Sequence, residues 1–184
     1  TNPGTAAGMG GFLHPERIVG RLDIRPGMVV ADFGAGGGYF SIPAARLAGE
    51  NGKVFAIDIQ KQSIDLIRSR AALEHLLNVE TVWADLERPQ GSHLPDNAAD
   101  VVIVANILFQ ADAKREVLAE AKRVLRTGGR LAVLEWDETP FPAGPSTALR
   151  IPKSNARHLA EDAGFILEKE FEAGSHHYGL LFKK

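Results

Sequence analysis

The chain has 184 residues, 45% hydrophobic and 24% charged, with 21 basic and 23 acidic side chains for a formal charge of −2. That length suits one domain with a sizeable core, and the near-neutral balance offers no basic footprint for nucleic acid or an anionic membrane. Zero cysteines exclude a disulfide framework, a thiolate metal site and a cysteine nucleophile, and no apolar run reaches the roughly 18 residues of a membrane-spanning helix.

No secretory signal pattern opens the chain, so a cytoplasmic protein is expected. Residues 1–11 (TNPGTAAGMGG) are small and glycine-rich, and a flexible arm is expected over residues 1–14, with a single domain over 15–184. Pro15 to Leu22 reads as a short helix with proline where a missing N–H costs nothing. Val29, Val30, Ala31 and Phe33 then form a buried strand, followed by Gly34, Gly36, Gly37 and Gly38 and a helical pattern from Phe40. Lys53–Asp58 is a second strand, Lys61–Leu77 a helix and Val79–Asp85 a third strand. Asp100–Asn106 is a fourth, almost wholly apolar. Val117, Leu118, Ala121, Val124 and Leu125 line one helix face, with Asp112 expected to cap its start and Gly128–Gly129 to stop it. Leu131–Trp136 is a fifth strand. Residues 137–152 carry four prolines and no periodicity, an irregular loop suited to covering a site. Ser154 is expected to cap a last helix ending at Gly164, and Phe165–Phe171 and His177–Phe182 read as a closing hairpin.

Strand and helix alternating in this way predict an α/β protein with a doubly wound, mostly parallel sheet and one antiparallel strand from the hairpin. Asp32, Asp58, Asp85 and Asn106 all fall at strand carboxyl ends, where ligands of such sheets bind. Each alone reads as a cap or turn former; together they point to a site. Asp58 lies 20 residues beyond Gly38, the separation of a carboxylate that binds a ribose diol. A dinucleotide fingerprint needs G-x-G-x-x-G, and Tyr39 stands at the third glycine's place. The spacing therefore favours a cofactor more compact than a dinucleotide.

D-F-G-A-G-G-G at 32–38 resembles the first motif of class I S-adenosylmethionine-dependent methyltransferases. RPGMVVADFGAGGGYFSIPAARL, GKVFAIDIQ and AKRVLRTGGRLAVLEW are similar to the segments around that family's first, second and fifth strands. The resemblance implies a Rossmann-like seven-stranded sheet and S-adenosylmethionine as methyl donor, with S-adenosylhomocysteine as product. It places Gly34, Gly36 and Gly38 beneath the methionine and ribose and Asp32 as orienter of the loop. It places Asp58 at the ribose hydroxyls, Asp85 and the Leu86 backbone at the adenine amino group and Asn106 at the methyl end, and it counts Ile59 among the cofactor-binding residues. Within the family the chain looks most like the small-molecule branch of ubiquinone/menaquinone C-methylases and arsenite methylases. Arsenite methylation there uses cysteine thiols, which this chain lacks. ANILFQ stands where nucleic-acid and glutamine methylating members carry an N-P-P-Y type tetrad.

Methyl transfer from a sulfonium needs alignment more than proton transfer, so no triad is required. His14 and His176 are candidate bases, with His177 beside them; surface exposure is expected for the pair, which alternates faces. No third ligand accompanies them, so no metal is expected. The expected partner is a small-molecule acceptor, with no nucleic acid, and the short chain leaves room for a second subunit to complete the pocket. Two other readings stand beside this one: a nicotinamide-dependent oxidoreductase using the same Asp58, disfavoured by Tyr39 and the lack of a Y-x-x-x-K pair, and a non-catalytic cofactor-binding module.

Overall fold

The computed structural model describes residues 13–142 and 144–184. Apolar five- to seven-residue runs become the inner strands β1 (Val29–Phe33), β2 (Lys53–Asp58) and β4 (Ala99–Ala105), because near-continuous apolar strands must be covered on both faces. β3 (Val79–Trp83), β5 (Leu125–Trp136), β6 (Ile166–Gly174) and β7 (His177–Lys183) complete one seven-stranded sheet. Its order is β3-β2-β1-β4-β5-β7-β6. The pairs from β3 through β5 are parallel, and β7 lies antiparallel to both of its neighbours. The order reverses between β1 and β4, which opens a crevice beyond their carboxyl ends.

The helices are α1 (Pro15–Val19), α2 (Ser41–Ala48), α3 (Lys61–Leu73), α4 (Lys114–Val124) and α5 (Lys153–Asp162). One core cluster packs α4 and α5, through Val117, Leu118, Ala156 and Ala160, on Val102, Val104, Leu131 and Val133. The other packs Ile18, Val19, Ala44 and Ala48 on the opposite sheet face, against Ile103, Ala132 and Leu134.

Several element ends differ from expectation. α1 stops at Val19 in a turn at Gly20, short of Leu22. α3 ends at Leu73, four residues before Leu77, where His75 takes a positive φ. β3 ends at Trp83, so Asp85 stands beyond the strand, and Asn106 stands one residue past β4. Asp112 does not cap α4: Ala113 is the N-cap, and its N–H donates to Glu87 Oε2 at 2.5 Å, a carboxylate from the loop after β3. Gly128–Gly129 does not stop α4 either, because Leu125 is already extended and paired with Ala99. The two glycines instead meet the chain's end, through Gly128 N–H to Lys184 O and Lys184 N–H to Gly129 O. Ser154 is the second residue of α5, not its cap; Pro152 holds that place.

Of the expected arm, residues 1–12 lie outside the described residues. Leu13 belongs to the fold: it is buried and bridged to Gly174 near the hairpin tip. Among the described residues no helix is long and apolar enough to cross a membrane.

Candidate functional site

The crevice floor is the loop after β1. Gly34 and Ala35 N–H groups donate to Ile57 O at 2.8 and 2.9 Å, which lashes the loop to β2. Asp58 completes the tie: its Oδ2 accepts from Gly36 N–H and its Oδ1 from Gln60 N–H, both at 2.8 Å. Gly34 has a φ of +71°, and a Cβ there would fall 2.5 Å from Ile107 Cδ1. Only glycine lets the loop and the segment after β4 approach so closely. Across the crevice, then, β1's loop touches the chain that leaves β4.

Asp32 sits below the loop, buried, with Ser41 Oγ donating to its Oδ2 at 2.5 Å. Burial pushes its carboxyl up to about 7; the Ser41 bond pulls it down, and the neighbouring Asp58 charge pushes it further up. Its link to the first residue of α2 fixes how that helix leaves the loop. Tyr39, at the missing third glycine's position, turns its ring under the Arg70 guanidinium, 4.6 Å from the ring centre.

Asp85 accepts from Glu87 N–H and Arg88 Nε at 3.0 Å each. It lies next to the carboxyl end of β2, since Ala84 N–H donates to Asp58 O. Leu86 is buried and Ile59 exposed, and Trp83 Nε1 donates to Ile59 O at 2.8 Å. Gly34, Gly36, Gly38, Asp58, Ile59 and Asp85 thus follow the carboxyl ends of β1, β2 and β3 on one side of the sheet's reversal, with Asp32 buried beneath; Asn106 follows β4 with its side chain turned to β7.

Asn106 adopts a φ of +56° and is pinned by its own backbone: N–H to Leu134 O, and O accepting from Gln110 Nε2 at 2.7 Å. Its Oδ1 meets His177 Nε2 at 3.2 Å, while Nδ2 has no partner. Contrary to the expected exposure, His177 is buried, and its ring lies 4.1 Å from that of Trp136. Burial lowers its pKa to about 4; Asp137 opposes this, while His176 and Arg150 add to it. His176 stacks on Phe141 at 4.1 Å. His14 is exposed, at the start of α1, and is not brought to this cluster.

Two buried charged residues escaped the sequence reading. Glu135, fully buried in β5, accepts from Leu108 N–H at 2.6 Å and leaves Oε2 without a partner. Burial pushes its carboxyl up to about 8, against the backbone N–H groups of residues 107–109 and the Lys114 charge. The signal was there: one charge inside the apolar run LAVLEW. Arg150, 5% exposed, donates to the carbonyls of Asp137, Thr139 and Pro145 at 3.0, 2.6 and 3.0 Å. It ties down the expected covering loop, which also contains one 3₁₀ turn at Thr147–Leu149. A groove of about 890 Å³, lined by Phe109, Gln110, Lys114, Leu149, Ile151 and His158 among others, lies between this loop and the segment after Asn106.

The glycine loop presents backbone without side chains, Asp58 keeps unused lone pairs beside it, and Asn106 holds a buried amide without a protein partner. These fit a polar ligand with a diol and a compact head. Among the described residues no group of three or more His, Asp or Glu is placed to hold a metal ion.

Comparison with known proteins agrees with this geometry. A family model described as a methyltransferase domain matches residues 24–174. The ubiquinone/menaquinone biosynthesis C-methyltransferase UbiE of Bordetella parapertussis is 37% identical over 128 residues, covering 70% of this chain and 48% of that protein. An arsenite methyltransferase of Halobacterium salinarum is 34% identical over 120 residues, 64% of this chain and 29% of that protein. A solved structure of a SAM-dependent methyltransferase from Aquifex aeolicus superposes with a TM-score of 0.84 at 26% identity, covering 93% of this chain and 89% of that one. The chain spans about half the length of the UbiE relative it matches.

Proposed function

The chain belongs to the class I S-adenosylmethionine-dependent methyltransferase family, and we propose that it transfers a methyl group to a small-molecule acceptor by in-line displacement. The observation that carries this reading is the glycine-rich loop Gly34–Gly38 at the β1/β4 crevice, tied to Asp58. When bound, S-adenosylmethionine supplies a methyl already activated by the sulfonium charge.

The residues divide the work. Asp58 accepts from the ribose hydroxyls with the lone pairs that Gly36 and Gln60 leave unused. Asp85 and the Leu86 N–H take the adenine edge, and Ile59 covers its face. Gly34, Gly36 and Gly38 run beneath the methionine and ribose. Asp32 holds the loop through Ser41, and Asn106 borders the methyl end. The protein's contribution is then alignment and exclusion of water, which supply about 7–11 kcal/mol where geometry is good. None of this demands a base, in keeping with an exposed His14 and a His176 stacked on Phe141.

The small-molecule reading is supported by the balanced charge of −2, which offers no basic footprint for nucleic acid. The UbiE relatives share this branch. An arsenite substrate is disfavoured by the absence of cysteine.

Calorimetry with S-adenosylmethionine, S-adenosylhomocysteine and NAD tests the assignment. Binding of the two sulfur compounds is expected; preference for NAD would replace the reading with an oxidoreductase. Asp58→Ala should weaken S-adenosylhomocysteine at least tenfold, since it removes a charge-assisted pair and loosens Gly36. An unchanged dissociation constant would place the ribose elsewhere.

A further inference from the structure

His177 starts β7, yet its imidazole reaches across β5 to Asn106 at the end of β4. With Asn106 Oδ1 as the acceptor, His177 Nε2 carries the hydrogen and donates it. That bond decides which way the carboxamide faces. Asn106 is otherwise held only through its backbone, by Leu134 and Gln110. Asn106 and His177 are 9% and 3% exposed, and Asn106 Nδ2 and His177 Nδ1 have no hydrogen-bond partner. A buried amide left half satisfied is costly unless a ligand completes it. Ile107, the next residue, lies against Gly34, so the backbone carrying Asn106 runs beside the glycine loop while its carboxamide is turned to His177.

We propose that His177 is a positioning residue: it fixes the Asn106 carboxamide at the methyl end of the donor site. The inference rests on the crevice being the S-adenosylmethionine site. A sulfonium is a cation, so a carboxamide oxygen held toward it favours it, whereas a cation introduced at residue 177 would oppose it. The burial that depresses the His177 pKa keeps the ring neutral at physiological pH. The charged or titratable groups around it are Asp137, His176 and Arg150, and Arg150 is turned toward the carbonyls of the 137–145 segment. Asn106 Oδ1 keeps a second lone pair for the ligand, and Nδ2 keeps its donors.

The experiment compares S-adenosylmethionine, which carries the charge, with S-adenosylhomocysteine, which does not, by calorimetry on the full chain. His177→Ala and His177→Lys should each weaken S-adenosylmethionine about tenfold more than S-adenosylhomocysteine. His177→Gln, whose amide N–H replaces the imidazole donor, should restore the ratio to within about threefold of the parent. Asn106→Ala combined with His177→Ala should cost no more than Asn106→Ala alone, because the two act as one unit. Equal weakening of both ligands by His177→Ala, or a ratio unmoved by His177→Ala and His177→Gln alike, overturns the proposal. Should His177→Lys fail to fold, the Ala and Gln variants decide. If the parent chain binds neither ligand, the crevice assignment itself is what fails.

Discussion

Gly34 concentrates the demands of the site in one residue. Its φ of +71° lies in the left-handed region, and the missing Cβ leaves room for Ile107. Gly34→Ala meets both penalties at once, a strained backbone and a side chain 2.5 Å from where the new methyl would sit. It should lower stability by about 1–3 kcal/mol and abolish S-adenosylhomocysteine binding. Thermal melting and calorimetry check the two effects; a variant that melts and binds like the parent would mean that Ile107 yields freely. This glycine was legible from sequence because its neighbours in D-F-G-A-G-G-G announce the turn. His177 was not. Its partner Asn106 is 71 positions away, and the alternation of His176 and His177 says only that one of them faces inward. Glu135 hid for a related reason: the N–H groups it accepts from stand 27 positions earlier, so the run showed a charge without showing what satisfies it.

The element most open to misreading is the 137–152 loop. Its prolines mark it as irregular, and it is irregular, but Arg150 gives it a definite shape. The guanidinium meets carbonyls 11 and 13 positions earlier and lies 5.3 Å over the Trp136 ring. Gly144 passes so close to Trp136 that a Cβ would fall 2.7 Å from the ring. Tyr178 Oη donates to Ile151 O and fastens the other end. Arg150→Ala should therefore free the loop rather than unfold the domain. Amide exchange over residues 137–142 should speed up sharply while β1 and β2 keep their protection, with a global cost of about 1–3 kcal/mol. Uniform loss of protection would show instead that the loop is part of the cooperative core. Strand positions were readable because buried parallel strands are short apolar runs; helix ends were not, since tertiary partners set them. α4 starts where Glu87 reaches Ala113 and ends where Leu125 joins β4, and neither partner is local.

At the scale of the whole molecule, the fold brings three titratable groups into places where their charged forms are disfavoured, and they act in opposite directions. Glu135 and Asp32 are raised, to about 8 and about 7. The unfolded chain ionises both near their ordinary values of 4.5 and 3.8 while the folded chain keeps its protons, so their contribution is full below those values, falls steadily as pH rises above them, and is gone once pH passes about 8 and about 7. His177 is lowered to about 4 from 6.5, so its contribution is full above 6.5 and is lost as pH falls toward 4. Between these pH values the histidine and the carboxyls partly cancel; above about 6.5 only the carboxyls remain. The protein without ligand should accordingly lose thermal stability slowly from about pH 4.5 to about pH 6.5, faster from there to about pH 8, then level off. Glu135→Gln keeps the shape and removes the ionisation, so it should melt close to the parent near pH 4.5 and above it near pH 8.5, with the gap opening steadily from about pH 5 to about pH 8. Melting curves followed by circular dichroism across that range decide it. Parallel curves for parent and variant would mean that Glu135 ionises as readily in the folded chain as in the unfolded one, and that Oε2, though buried, finds water.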